Sequence, residues 1–386
     1  MKPLYLDYGA TSPVRSEVLE AMLPYFQNEF GNPGSIHDMG QRAYDAITHA
    51  RKQIARALGA TSPREVIFTS SGTEANNLAI IGAARKSRES HLGNHVITTK
   101  IEHPSVLEAC RYLERDGFHV TYLPVDSFGQ VRIEDVKQAL REDTILVSIM
   151  AANNEVGTIQ PIQKIGQLLK QTHALFHTDA VQYFGKVPFT VDELGVDLLS
   201  IGSHKIAGPK GIGALYIRKG VRIEPLLHGG GQERHLRPST LNTPAIVGFG
   251  VAAVLSQHEV VEEQKRLIQL RNLCLSRIQN EIGQVTLNGH PTERLPNNLN
   301  LSFHQVEGQA ILLELNREQI YVSSGSACSA GKHQASHVLL AMEKGEEIAY
   351  QSLRITFGKE TSEEEIHLFI QKLKNVMQYL RSLIPQ

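Results

Sequence analysis

Residues 144–182 read TILVSIMAANNEVGTIQPIQKIGQLLKQTHALFHTDAVQ. The stretch opens with an almost uninterrupted apolar run, residues 144–150. A polar turn leads to a helix-like segment, 162–173, and then to a second apolar run, 174–180. Near-continuous apolar runs are what strands buried on both faces require. A strand, a helix and a strand joined by short turns make a parallel crossover. The alternation continues upstream, where EVIFTS (65–70), HVITTK (95–100) and HVTYLPV (119–125) each precede a helical segment. Downstream, VDLLSIG (196–202) and GIGALYIR (211–218) add two more strand-like runs. The order predicts an α/β fold with a mostly parallel sheet covered on both faces.

A long helical stretch, about 244–282, follows. Beyond it come NNLNLSF, GQAILLELN, QIYV, SHVLLAM, SLRITFG and a final helix over 363–382, an order that predicts a smaller α+β domain. The expected division is 16–256 for the large domain, and 1–15 with 257–386 for the small one.

The 386-residue chain has a formal net charge of -1 and no cluster of lysine and arginine, which argues against nucleic acid or an anionic membrane as a partner. The longest uninterrupted apolar runs fall far short of the ~20 residues that span a bilayer. The first residues carry no apolar signal core. Three scattered cysteines make no disulfide framework, so the expected compartment is the reducing cytoplasm. Cys110 and Cys274 fall in helical runs. Cys328 stands apart in VSSGSACSAGKHQ (322–334), a loop of small residues, where a reactive thiol and a bystander are both open readings.

Ligands of open α/β sheets bind at the carboxyl ends of the strands. Five predicted strand ends here carry polar groups: Ser70–Glu74, His103, Asn153–Asn154, Asp179 with Gln182, and Lys205. SSGTEANN places small residues at a strand-to-helix turn, where free N–H groups and the helix dipole favour an anion, although an ordinary N-cap has the same appearance. Lys205 follows a buried strand, and an amine placed there forms an imine with a carbonyl if its pKa is lowered. Lys210 is its rival. An aspartate on a pyridine nitrogen keeps that nitrogen protonated, which is a role open to Asp179. His103 has the shape to stack on the same ring. A phosphate cup, a stacking imidazole, a ring-nitrogen carboxylate and an imine lysine, in this order at strand ends along the chain, together specify pyridoxal 5′-phosphate.

At these residues the chain resembles the cysteine desulfurases of the nitrogen-fixation and iron–sulfur-cluster type, within the class-V aminotransferase superfamily. LYLDYGATSPV, FGNPGSIH, FTSSGTEANNLAI, NNEVGTIQPI, HTDAVQ, SHKIAGPKGIGALYIR, HGGGQER, SSGSACSAG and LRITFG carry the resemblance along essentially the whole sequence. It implies a PLP-dependent transferase of fold type I acting on L-cysteine as a homodimer. Lys205 would hold the cofactor as an imine, with Gly72, Thr73, Gly202, Ser203 and His204 around its phosphate and Thr240 reaching the phosphate of the neighbouring subunit. Asp179 would pair with the ring nitrogen, Gln182 with the ring oxygen, and Asn154 would lie near that oxygen and the substrate carboxylate. His103 would stack on the ring and move protons. Arg354 would bind the substrate carboxylate, and Cys328 would receive the sulfur as a persulfide before passing it to an acceptor protein, for iron–sulfur cluster assembly or for tRNA or cofactor thiolation.

The pattern departs from relatives at Gly202, where a serine is common, at RPST (237–240), at Gly9 and after Cys328. Ser203 is the candidate replacement for the phosphate hydroxyl missing at Gly202. Rival readings are a class-V aminotransferase or selenocysteine lyase, a sulfur-relay scaffold without turnover, and a metal enzyme built on His91 and His95. No metal site is expected, since those histidines, four apart, read as a solvated helix face.

Overall fold

The computed structural model describes residues 3–324 and 335–384. A short strand, Leu4–Tyr5 (β1), opens the fold. The large sheet is built from Val66–Thr69 (β2), His95–Thr99 (β3), His119–Leu123 (β4), Thr144–Ser148 (β5), Leu175–Asp179 (β6), Leu198–Gly202 (β7) and Gly213–Ile217 (β8). The strand order is β2-β8-β7-β6-β5-β3-β4. Every strand runs parallel except β8, which is antiparallel to both neighbours. The physical reason for the apolar runs is visible. Each residue of β5, β7 and β8 is buried, whereas the edge strand β4 is mostly half-exposed.

Helices cover both faces of this sheet. One face packs Ile47, Ile54, Phe68, Ile165, Phe176 and Phe249 into a single core. The other packs Leu78, Ile81, Val106, Leu113, Leu146 and Leu215. Two helices on the first face were not foreseen, Ser16–Met22 and the 21-residue Asp38–Leu58. The latter lies against the 39-residue helix Thr243–Glu281. The approach is close: a Cβ on Gly250 would come within 2.8 Å of the Cα of Ala50. Taken helix by helix rather than by uninterrupted runs, Thr243–Glu281 is long and apolar enough to cross a bilayer. Here Ala245, Ile246, Phe249, Ala252 and Ala253 are instead part of the first core.

The remaining strands are Val285–Asn288 (β9), Asn298–Phe303 (β10), Ile320–Tyr321 (β11) and Ser352–Thr356 (β12). β12, β10 and β9 form an antiparallel sheet. β1 pairs in parallel with β11, so the start of the chain joins its C-terminal third. Leu4 and Leu6 accordingly share a core with Leu267, Phe303, Phe357 and Phe369. β1 and β9 are too short to register as sequence patterns.

Candidate active site

β6 ends in Asp179, and the next turn carries Gln182. These two residues begin two hydrogen-bond chains that leave the same strand end in different directions.

The first chain runs to His103. The Asp179 carboxylate accepts from the Val181 N–H at 2.9 Å through Oδ1 and from Asn76 Nδ2 at 2.7 Å through Oδ2. The same Asn76 amide donates to Ser105 Oγ at 2.9 Å. Ser105 in turn approaches His103 Nδ1, with its backbone N–H donating at 3.1 Å and its hydroxyl at 2.8 Å. Backbone N–H is a donor only, so His103 Nδ1 accepts, and the proton of the neutral ring sits on Nε2. Burial, with Lys205 and His337 nearby, holds this imidazole below its ordinary pKa, opposed by Asp179. His103 is therefore neutral at pH 7, with its Nε2–H directed away from the Ser105 turn.

The second chain runs to Lys205. Gln182 Nε2 donates to the Gly9 carbonyl at 2.8 Å, and Lys205 Nζ donates to the same carbonyl at 2.5 Å and to Ala10 O at 2.6 Å. Lys205 stands in a short 3₁₀ turn directly after β7, as the sequence placed it. Its neighbour His204 makes a 3.1 Å hydrogen bond to Thr11 Oγ1, and burial beside Lys205, Lys210 and Lys186 lowers its pKa to about 4. The segment 7–12 thus touches several proposed site residues. It is itself closed by Tyr5, whose hydroxyl donates to Asp7 O and Thr11 O.

Arg354, on β12, is 3% exposed and closes the site from the C-terminal side. It donates to the backbone O of Asn154 at 3.0 Å and to the Asp7 carboxylate at 2.9 Å, while its buried Nε has no hydrogen-bond partner among the described residues. Gly9 lies flat against it: a Cβ there would be 3.4 Å from that Nε and 3.2 Å from Thr356 Oγ1. The Asn154 side chain is half-buried. Its neighbour Asn153 is structural, since its amide spans Ile101 O and the N–H groups of Glu155 and Val156.

At the other end, the helix Gly72–Glu89 begins directly after β2. Ser71 caps it by accepting from the Glu74 N–H at 3.1 Å. The N–H groups of Gly72 and Thr73 have no helical carbonyl within reach, as in the first turn of any helix, and they point out along the positive end of its dipole. Gly202 is buried beside them, and a Cβ on it would face Val181 and His204. Ser203 Oγ is fully buried, makes no hydrogen bond among the described residues and lies against the Gly208 backbone. Thr240 is exposed.

Cys328 lies outside the described residues. Cys110 and Cys274 are buried, and burial raises both thiols, Cys110 to about 12. The His91 and His95 pair does not share a helix face. His91 lies in a turn, and His95 is a buried residue of β3 with both ring nitrogens taken by the hydroxyls of Thr144 and Thr121. No group of three metal-binding side chains occurs among the described residues. Asn76, Ser105, Asp7 and Lys186 were missed from sequence. Asn76 had a signal, for it follows Gly72 by one helical turn and so shares its face.

The family model for aminotransferase class V matches residues 4–369. A cysteine desulfurase IscS of Dictyoglomus turgidum is 50% identical over 384 residues, covering 100% of this chain and 97% of that relative. A cysteine desulfurase IscS of Methanosarcina thermophila is 49% identical, covering 100% and 94%. Among solved structures, a NifS-like protein superposes with a TM-score of 0.92 at 41% identity, covering 98% of this chain and 100% of that one. The protein SspA, solved in complex with cysteine, superposes with a TM-score of 0.80 at 38% identity, covering 92% and 98%.

Proposed function

The chain belongs to the cysteine desulfurases of the class-V aminotransferase family, and from that premise we infer that it converts L-cysteine to L-alanine with pyridoxal 5′-phosphate, passing the sulfur through Cys328 to acceptor proteins. The observation that carries this reading is the convergence at the end of β6. A carboxylate fixed by Asn76, a neutral imidazole behind it, and an amide tied through Gly9 to the Lys205 amine all meet there.

The residues fit the cofactor. The open N–H groups of Gly72 and Thr73 suit its phosphate, with His204 and the Gly202–Ser203 pair beside them. Asp179 suits the ring nitrogen, and the second N–H of Gln182 suits the ring oxygen. When bound, the cofactor supplies an electron sink for the substrate α-carbon. Asp179 keeps a proton on the ring nitrogen. Lys205 Nζ would hold the cofactor through its carbonyl carbon, and the amine is placed to move the α-proton. His103 would lie against the ring, with its Nε2–H available as a proton source. Arg354 holds the substrate carboxylate together with Asn154, exchanging its hydrogen bond with Asp7 for a bidentate one.

The Cys328 thiolate attacks the substrate sulfur. A sulfur–sulfur bond forms, the carbon–sulfur bond breaks, and its electron pair ends as a C–H bond of alanine. The sum is L-cysteine plus thiol giving L-alanine plus persulfide. Cys328 is the cysteine of choice because the other two thiols are buried and held protonated. The enzyme acts as a cytoplasmic homodimer. Thr240 faces the partner's phosphate, and the exposed side chains of Phe26, Phe30 and Tyr44 are suited to cover by a second copy. In this reading residues 16–256 hold the cofactor, and 1–15 with 257–386 hold the substrate carboxylate and the cysteine. The acceptors serve iron–sulfur cluster assembly or the thiolation of tRNA or cofactors.

Protein loaded with pyridoxal phosphate and given L-cysteine and a thiol reductant should release alanine and sulfide in equal amounts. Cys328→Ser should lose both products and keep the cofactor. Mass spectrometry should find one extra sulfur on the Cys328 peptide of the wild type after cysteine treatment. Alanine formation at the wild-type rate by Cys328→Ser would sink the persulfide route in favour of a lyase reaction.

A further inference from the structure

One buried cation has no part in the reaction described above. Lys186 is 8% exposed, and its Nζ donates to Gln182 Oε1 at 2.7 Å. It follows Gly185, which sits at φ 73°, and a Cβ on Gly185 would come within 2.6 Å of Ile206 Cγ2. The backbone therefore turns tightly at this point, and the turn brings the lysine back under the Gln182 side chain. Burial, with Lys205 and Arg354 nearby, lowers the Lys186 pKa to about 7. A cation is kept next to two others at a cost in solvation, which calls for a reason beyond filling space.

The reason is the orientation of an amide. The Gly9 carbonyl only accepts, so the NH2 end of Gln182 must face it. The oxygen end then meets Lys186. Turned by half a revolution, the amide would set oxygen against the Gly9 oxygen and, with Lys186 protonated, NH2 against an ammonium, two mismatches at once. An apolar residue at 186 would leave Oε1 buried without a donor and would remove the second of these restraints.

We propose that Lys186 is a positioning residue of the cofactor site, acting through Gln182. It fixes the amide so that one N–H bonds the Gly9 carbonyl, which also receives Lys205 Nζ, and the other is aimed at the ring oxygen of the cofactor. The inference rests on the reading of the site as a pyridoxal phosphate site.

The test is a double-mutant cycle on cofactor binding and on the visible absorption band, with no turnover required. Wild type, Lys186→Met, Gln182→Met and the double variant are stripped of cofactor and titrated with pyridoxal phosphate. Lys186→Met keeps most of the buried stem and removes a buried charge. Losing a hydrogen bond from a charged donor should weaken binding by about tenfold to a hundredfold, with a displaced absorption maximum. Gln182→Met should do the same, and adding Lys186→Met to it should change neither quantity further. Equal effects of Lys186→Met in both backgrounds would overturn the route through Gln182, as would an unchanged band and affinity in Lys186→Met. Should Lys186→Met fail to fold, Gln182→Met alone decides, because unaltered binding and band there leave Lys186 nothing to position. A wild type that takes up no pyridoxal phosphate would overturn the functional reading itself, and is told apart by its lack of a visible band.

Discussion

Glu102, the residue before His103, is fully buried and should make stability fall with rising pH. Its Oε1 accepts from Thr99 Oγ1 at 2.8 Å and from the Met150 N–H at 3.0 Å, while Oε2 is buried without a partner among the described residues. Burial, with a smaller push from the Asp179 charge, raises its pKa from the ordinary 4.5 to about 8. A carboxyl raised in the folded state costs nothing below the unfolded pKa, where both states are protonated. As pH climbs through the interval, the unfolded chain releases a proton that the folded one retains, and stability declines until the folded pKa is reached. Between about pH 5 and pH 8 this amounts to roughly 3 kcal/mol. Glu102→Gln keeps the acceptor oxygen for Thr99 and Met150 and is neutral at every pH. Its NH2 group, buried where Oε2 was, subtracts a constant of about 1–3 kcal/mol. The constant cancels when the difference between variant and wild type is followed with pH. Urea unfolding of both proteins across this range should show the variant gaining on the wild type by roughly 3 kcal/mol. Lines that stay parallel within about 0.5 kcal/mol, the scatter expected of a surface substitution, would mean that Glu102 ionises freely in the native protein, and the argument from its burial would fail.

Lys205→Ala should fold, lose the visible cofactor band and all alanine formation; borohydride trapping of the cofactor on Lys210 would refute the assignment. Arg354→Lys should raise the KM for cysteine while leaving the cofactor band in place, because an ammonium does not reproduce a bidentate hold on a carboxylate; an unchanged KM would move the carboxylate elsewhere. Mixing inactive Lys205→Ala subunits with inactive Thr240→Val subunits should restore one working site per mixed dimer. Failure to complement, with exchange of subunits demonstrated, would count against a shared phosphate site.

The large sheet was legible because its strands are buried on both faces, and burial writes itself into sequence as unbroken apolar runs. The strand ends were legible for a related reason. A polar residue such as Asp179 or Lys205 directly after such a run has few roles open to it. Ser105 was not legible, and Asn76 only through its place one helical turn after Gly72. They lie on helices, one turn or less from the residues that signalled the site, and nothing in the spacing tells a buried amide from a solvated one. Lys186 looked like any loop lysine, since only the fold shows that the turn at Gly185 buries it. β1 escaped because two residues make no pattern, and its partner β11 lies more than three hundred residues away.

That pairing also explains how the two ends of the site are kept in register. β1 bonds to β11, the Thr356 N–H of β12 donates to Leu6 O at 2.8 Å, and the Gly9 N–H donates to Thr356 Oγ1 at 2.7 Å. The residues 7–12 that leave this strand present Asp7 to Arg354, the Gly9 carbonyl to Gln182 and Lys205, and Thr11 to His204. In the proposed reading a substrate carboxylate at Arg354 would compete with Asp7, and the segment that carries Asp7 also carries the carbonyls that hold the Lys205 amine. Binding at one end would therefore bear on the amine at the other through four residues of backbone, 7–10. A Cβ at position 9 would stand 3.1 Å from Thr356 Cγ2 and 3.4 Å from Arg354 Nε, a tight contact that these two side chains would have to ease. Glycine there avoids that contact, and one short turn joins the partners of Arg354 and of Lys205.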